Sequence, residues 1–488
     1  MLIYKKIFAI ILAILMIFSG VGCSGDYSSA IIYYGVGEPP KNIDPQSATT
    51  ITELIIVRNL YEGLMRKNTD GEIVNGVAES YTFADNTYTF TLRNDAVWND
   101  GTPLTADDFV FGIKRALLPD TNSPNAECLF SIKNAEKIYK KELPISSIGI
   151  YALNNKTLKI ELEYDDADFL YALTTAAAMP CNEAFFNKAI GKYGMSLDTV
   201  LSNGSYRMKK WSTDDFAMRI VKSGSYTGSF VPKNSAVYFS KNKEYTNIEC
   251  LEKNYVDIAE IKTEDIKRAQ LNNLNLSVVN NKVLILSISK AFTKNMRDAL
   301  FQSAISKDDF SDTPSSFSFS NTLFPELFGD AQKEYNIYKP QAAKETYNRE
   351  IKLFPDSEFP ADSVYYYGDT NVQSIVKKVA ANWQKNLGSY INIASVSSNN
   401  KARMAPNNDY GIGFYTVEIN EINKHEYLEN FDISAPDSSD IEAYVFSNSY
   451  SIPISFYGSC FANTAELSDF RIDSAGGNLD FSAITKKK

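Results

Sequence analysis

Histidine is almost missing from this sequence: His425 is the only one in 488 residues. A zinc site built on imidazoles, or a Ser-His-Asp triad, would have to rest on that residue. It stands in Ile422-Asn423-Lys424-His425-Glu426, a polar stretch that reads as solvated surface. Cysteine is scarce as well, with five in the chain. Cys128, Cys181, Cys250 and Cys460 are far apart and form neither a CxxC pair nor a Cys/His cluster. Four small buried hydrophobes is the simplest reading of them, and an exported chain would leave a disulfide open. HExxH, GxSxG, the phosphate loop and the dinucleotide GxGxxG are absent from any usable context. An enzyme would therefore have to work through carboxylates or Lys and Tyr, for instance as a two-carboxylate glycosidase, and no spacing points to such a pair. No catalytic residue, metal or cofactor is expected. Positive charge is in short supply, 49 Lys and Arg against 59 Asp and Glu, for a net −10. An acidic chain lacks the basic face that nucleic acid requires. Long apolar runs are lacking beyond the first twenty-odd residues, so nothing further along is expected to span a membrane.

What is present begins with a leader. Lys5 and Lys6 precede an apolar run from Ile7 to Phe18. A membrane span needs about 20 apolar residues, so this run fits better as the core of a secretory signal over residues 1–22. Gly20-Val21-Gly22-Cys23 resembles the lipobox of bacterial lipoproteins, with Gly20 where an aliphatic residue is usual. That resemblance implies lipid on Cys23 and a domain tethered to the outer face of the membrane, with more than one acyl chain for a stable anchor.

The most informative stretch is Thr87–Leu118. Tyr88, Phe90 and Leu92 alternate with Thr87, Thr89, Thr91 and Arg93, the period of a half-buried strand. Asn99-Asp100-Gly101-Thr102-Pro103 is a dense turn signal. Thr105 then caps a helix with Asp107 and Asp108 in its first turn and Phe109, Ile113 and Leu117 along its buried stripe. Further on, the spacing predicts helices over Thr52–Met65, Asn125–Lys140, Asn295–Ile305 and Val372–Leu387, the last ended by Gly388. Strands are expected at Ala30–Tyr34, Lys156–Leu162, Gly204–Trp211, Phe216–Val221, Lys282–Ser289, Ile391–Val396, Tyr410–Val417 and Ile452–Tyr457, and a long loop over Ser311–Pro325. Strands and helices intermix throughout, so the class is α/β with mixed sheets. The length is ample for two or three domains.

Several blocks in a fixed order resemble the oligopeptide-type substrate-binding proteins of ABC transporters, the family 5 solute-binding proteins. They are Asn42-Ile43-Asp44-Pro45, Tyr61-Glu62-Gly63-Leu64, Gly76-Val77-Ala78-Glu79-Ser80-Tyr81, and Tyr88–Arg93 followed by Trp98–Phe109. Asn203-Gly204-Ser205-Tyr206 with Trp211, and Arg297-Asp298-Ala299-Leu300 with Ile305-Ser306-Lys307, continue the series. The resemblance is dense to about Trp211 and thin after it.

The resemblance implies a periplasmic-binding-protein type II fold, two lobes around a cleft plus an extra subdomain. On this expectation residues 23–60, 181–250 and 461–488 make lobe I, residues 61–180 the extra subdomain and residues 251–460 lobe II. It implies a monomer that captures an oligopeptide or similar small solute and delivers it to an ABC permease complex at the membrane. The alternative is a surface lipoprotein of the same fold acting as a peptide sensor, pheromone receptor or chaperone-like protein. Bound peptide would pair its backbone with strands of the cleft. The family's acidic residue for the peptide α-amine aligns with Glu418, in Gly413-Phe414-Tyr415-Thr416-Val417-Glu418-Ile419-Asn420-Glu421, so Gly413, Tyr415, Glu418 and Glu421 are candidate ligand residues. Glu38 and Lys41 are added from the loop Glu38-Pro39-Pro40-Lys41, expected at one end of the cleft. Two tyrosines usual near the ligand are missing from Ser123–Leu129, which implies a changed ligand or a cleft without transport function.

Overall fold

The computed structural model describes residues 30–212, 216–311, 313, 316–324, 334–353, 361, 363–397, 411–419, 424–431, 441–448, 450–472 and 479–486. The leader, Cys23 and Glu421 lie outside the described residues. Among those described, no helix is long and apolar enough to cross a membrane.

An eleven-stranded mixed sheet organises the molecule. From one edge it runs Asn392–Ser395, Ser363–Tyr366, Ile412–Glu418, Asn275–Ile288, Ser451–Asn463, Ile258–Ile261, Ile31–Gly35, Ala236–Ser240, Ala217–Lys222 and Tyr206–Ser212, with Phe317–Phe319 pairing onto Ser451–Asn463. Its two central strands are 14 and 13 residues long, well beyond the usual 5–6 or so. They are long because each serves two cores. On the strand Asn275–Ile288, Val279 packs with Ile32, Tyr34 and Phe239, whereas Leu284, Leu286 and Ile288 pack with Val376, Val379 and Trp383. On Ser451–Asn463, Ile452 and Ile454 join the second core while Phe461 joins the first. Between these memberships the strand Asn275–Ile288 carries a bulge, a register shift between Val279 and Lys282 opposite Ser459 and Tyr457.

The stretch Thr87–Leu118 folds as expected. The strand Thr87–Leu92 sits inside a four-stranded antiparallel sheet with Ala78–Ala84, Thr157–Glu161 and Ile150–Asn154. The helix Ala106–Leu117 buries Phe109, Ile113 and Leu117. This sheet shares a continuous core with the strands Ile31–Gly35 and Ala236–Ser240 of the large sheet.

Three expectations are corrected. The helix over Asn125–Lys140 is broken into a 3-10 turn, Ala126–Leu129, and a short helix, Ala135–Tyr139, because Asn134 between them adopts φ +67°. The loop over Ser311–Pro325 holds the short strand Phe317–Phe319. The strands expected at Lys282–Ser289 and Ile452–Tyr457 are the ends of the two long central strands, whose other halves carry only a short alternation at Asn275–Val278 and then Asn280, Asn281, Gly458 and Ser459. The helix Thr370–Leu387 ends at Gly388, whose φ of +77° is the left-handed cap the sequence predicts.

Candidate functional site

The family blocks turn out to be joints. Asp44 and Arg115 form a buried pair at 2.6 Å, and the same guanidinium donates to Gln46 at 2.7 Å. Glu62 accepts from Arg93 at 2.9 Å and from the Tyr226 hydroxyl at 2.5 Å, and Arg66 bridges it to Asp480. Asp108 accepts from the Thr105 amide at 2.8 Å, from Trp98 Nε1 at 3.3 Å and from Asn182 at 3.2 Å, while burial lifts its carboxyl above the ordinary value. These residues of the recognisable blocks thus join segments far apart in the chain, Asp44 to Arg115 and Arg66 to Asp480 among them, and none of them lines the cleft.

The cleft is a hollow of about 700 Å³ beside the sheet bulge, within the range of ligand sites of about 300–1,000 Å³. One wall is the loop Val36–Glu38 after the strand Ile31–Gly35, with Val36 in the first core, together with the turn around Lys241–Asn247 and Glu260–Asp265, whose Tyr245 and Ile261 belong to a smaller cluster around Ile248 and Cys250. The second core contributes Phe317 and the start of the helix Thr370–Leu387, where Asp369 accepts from the amides of Asn371 and Val372. The crossing strands supply Lys282 and Tyr457–Cys460. Tyr457 stacks on Phe317 with ring centroids 4.4 Å apart and an interplanar angle of 10°. Its hydroxyl meets Thr416 Oγ1 at 2.6 Å, and burial pushes it up to about 12. Ser459 Oγ donates to Glu260 at 2.5 Å. Asp265 is raised by burial and by the neighbouring Glu264. Among the described residues no group of His, Cys, Asp and Glu is placed to hold a metal ion. The four later cysteines are all buried thiols. Cys460, a cleft residue, is raised to about 11 by burial and by Glu260.

Of the residues expected from sequence, Glu38 lines the cleft and pairs with Lys241 at 2.9 Å. Glu418 is not part of the lining, but it lies opposite the lining residue Lys282 in the strand register and 3.4 Å from its ammonium. Both side chains of that pair are well exposed, at 35% and 61%, and such a pair is worth roughly 0–1 kcal/mol. Tyr415 is corrected from ligand residue to core residue. It is fully buried among Val283, Tyr427 and Phe431, and its hydroxyl donates to the Asn430 carbonyl at 3.0 Å. Alternation explains this, since Tyr415 faces away from Thr416 and Glu418. Gly413 is buried between Ser287 and Tyr365 in the sheet and does not line the cleft. Lys41 is exposed outside the cleft, its amide donating to Glu53 Oε1 at 3.0 Å. Sequence reasoning missed Glu260, Lys282, Tyr457 and Ser459. The available signals were two carboxylates, Asp257 and Glu260, inside the otherwise apolar run Val256–Ile261 and the small trio Gly458-Ser459-Cys460 inside an aromatic strand.

Two packed cores, a polar hollow between them and two strands crossing from one to the other define a two-lobed binding protein of the periplasmic type II class. The chain belongs to the bacterial extracellular solute-binding proteins, family 5, whose middle region matches residues 72–439. It is 36% identical to the periplasmic murein peptide-binding protein MppA of Escherichia coli over 178 residues, 36% of this chain and 33% of that protein. It is 25% identical to the periplasmic oligopeptide-binding protein OppA of Salmonella typhimurium over 385 residues, 73% of this chain and 69% of that one. The match thus spans about a third of MppA and about two thirds of that OppA. Among solved structures, the unliganded open form of MppA superimposes with a TM-score of 0.73 at 20% identity, covering 94% of this chain and 97% of that one. The pheromone receptor PrgZ superimposes with a TM-score of 0.71 at 20% identity, covering 94% and 100%.

Proposed function

We propose that this protein is a receptor on the outer face of the membrane that captures peptides between its lobes and hands them to an ABC importer. The observation that carries the reading is the 700 Å³ hollow whose walls come from separately packed clusters, Val36 of the first core and Ile261 and Cys460 of a smaller one on one side and Phe317 of the second core on the other. Closing the lobes over a ligand buries it on both sides and needs no catalytic group. The peptide-binding names of MppA and OppA support peptide as the solute. In this reading the protein acts as a monomer, lipid on Cys23 supplies the tether, and residues 61–180 are the extra subdomain. The lobes meet where the core memberships change, near Asn280–Lys282 and Tyr457–Ser459. The strand Ile258–Ile261 then belongs with lobe I, since it pairs with Ile31–Gly35. Glu418 takes the peptide α-amine by exchanging its weak pairing with Lys282, and Glu38 faces the ligand from the other wall.

A pool of tri- to hexapeptides should raise the melting temperature by mass action, by about 2.7 kcal/mol of stability at 100 times Kd. Glu418→Gln should reduce that shift for the free-amine pool and leave it unchanged for the same pool after N-acetylation. Absence of any shift in the wild type would overturn ligand capture, and equal loss for both pools would overturn the role of Glu418. The sensor reading, favoured by the fold shared with PrgZ, differs in consequence: peptide would bind equally well, but deleting the gene would leave peptide uptake by the cell unchanged.

A further inference from the structure

The charges of the cleft do not balance. Its lining holds five carboxylates, Glu38, Glu260, Glu264, Asp265 and Asp369, against three lysines. All three lysines are already matched: Lys241 with Glu38 at 2.9 Å, Lys262 with Glu264 at 3.6 Å and Lys282 with Glu418 at 3.4 Å. Asp369 is occupied as a helix cap, and Asp265 lies within the field of Arg268 and Lys262. Glu260 is different. It is half-buried, its carboxylate accepts one hydroxyl donor, Ser459, and no lysine or arginine among the described residues pairs with it. Nothing else crowds it from the facing loop, since a Cβ on Gly37 would still be 3.8 Å from its Oε2. Its field raises the nearby Tyr34 phenol and Cys460 thiol, in both cases behind the larger effect of burial.

A second acceptor lies behind that wall, under the lining residue Gly458, and is not itself part of the lining. Asn281, at the strand bulge, is 3% exposed and its Oδ1 has no donor. That oxygen fills the space a side chain on Gly458 would take, 2.1 Å from such a Cβ, and Gly458 is itself a lining residue. A half-buried carboxylate without a cation and a buried carbonyl without a donor are both unfavourable alone. Of the two, the Glu260 carboxylate lines the cleft and is satisfied by a positively charged donor that enters it. The stacked rings of Phe317 and Tyr457 stand on the same strand face as Ser459 and offer an apolar surface for the stem that carries such a group.

Resting on the receptor reading above, we infer that the cleft selects ligands bearing a cationic side chain, with Glu260 as the seat of that charge. A surplus of one sign inside a walled cleft also concentrates ligands of the opposite sign. The test uses isothermal titration calorimetry with three pentapeptide pools on an alanine host, in which lysine, methionine or glutamate occupies each position in turn. The wild type should bind the lysine pool at least about tenfold tighter than the methionine pool, and the glutamate pool more weakly than either. Glu260→Gln should bring the lysine-to-methionine ratio to about one while keeping affinity for the methionine pool. An unchanged lysine preference in Glu260→Gln, or no preference in the wild type, would overturn the inference and leave the receptor reading intact. A wild type that binds none of the three pools would overturn the receptor reading itself and the inference with it. Should Glu260→Gln fail to fold, Ser459→Ala carries the test. It keeps the carboxylate and removes its one hydroxyl donor, so the lysine preference should rise, and a fall would overturn the assignment.

Discussion

Glu53 shows how much of this chain's charge is spent on architecture. It is 4% exposed. Burial opposes its ionisation, but the amides of Thr49, Thr50, Lys41 and Asn42 donate to it and together hold its carboxyl below the ordinary 4.5. A carboxylate depressed in the folded state contributes stability above its unfolded value and loses it as pH falls through the folded one. Glu53→Gln should therefore cost about 1–3 kcal/mol at pH 7, and the difference from wild type should shrink as urea denaturation is repeated below pH 4.5. A constant difference down to pH 3 would contradict this account. The same lesson applies to Asp44, Glu62 and Asp108. Their sequence blocks were legible because a buried charge tolerates few partners, and that constraint serves the scaffold. Near the cleft, Glu418 was expected from alignment with a family block and Glu38 from a loop expected at one end of it. Glu260 was not, because it shares a short apolar run with Asp257 and only tertiary structure separates them, pairing Asp257 with Lys486 and leaving Glu260 without a described lysine or arginine.

At the scale of elements, the two long crossing strands decide how the lobes are joined. Gly458 is required there, since a Cβ would fall 2.0 Å from the Val279 carbonyl and 2.1 Å from Asn281 Oδ1. Backbone on one side leaves no flexible neighbour to move aside. Gly458→Val should lower stability by about 1–3 kcal/mol or more through overpacking, read as a fall in melting temperature without ligand. A neutral result would mean that the bulge is looser than its geometry. The sequence disclosed only the apolar ends of these strands. Their middle, with Asn280, Asn281, Gly458 and Ser459, has neither alternation nor β-branched residues, because a bulge interrupts the pairing that would demand them. The helix expected over Asn125–Lys140 failed for a related reason, since one left-handed residue, Asn134, divides a pattern that is otherwise periodic.

For the whole molecule, the separation of the two cores implies motion about the crossing strands. Saturating peptide should reduce the radius of gyration measured by small-angle scattering, as hinge closure brings the lobes together. A melting-temperature shift with no change in radius would place the ligand on a cleft that is already closed. What the sequence determined by itself was the α/β class and elements such as the strand Thr87–Leu92 and the helix Ala106–Leu117, because those rest on local periodicity, capping and turn chemistry, while the family was legible through the order of its blocks. Tertiary structure alone decided which charges meet. It put Tyr415 in the core and Glu418 at the rim of one strand, paired every cleft lysine, and left Glu260 facing the hollow from a different strand. Those outcomes depend on sheet order and a bulge between residues far apart in the chain, and no local pattern encodes them.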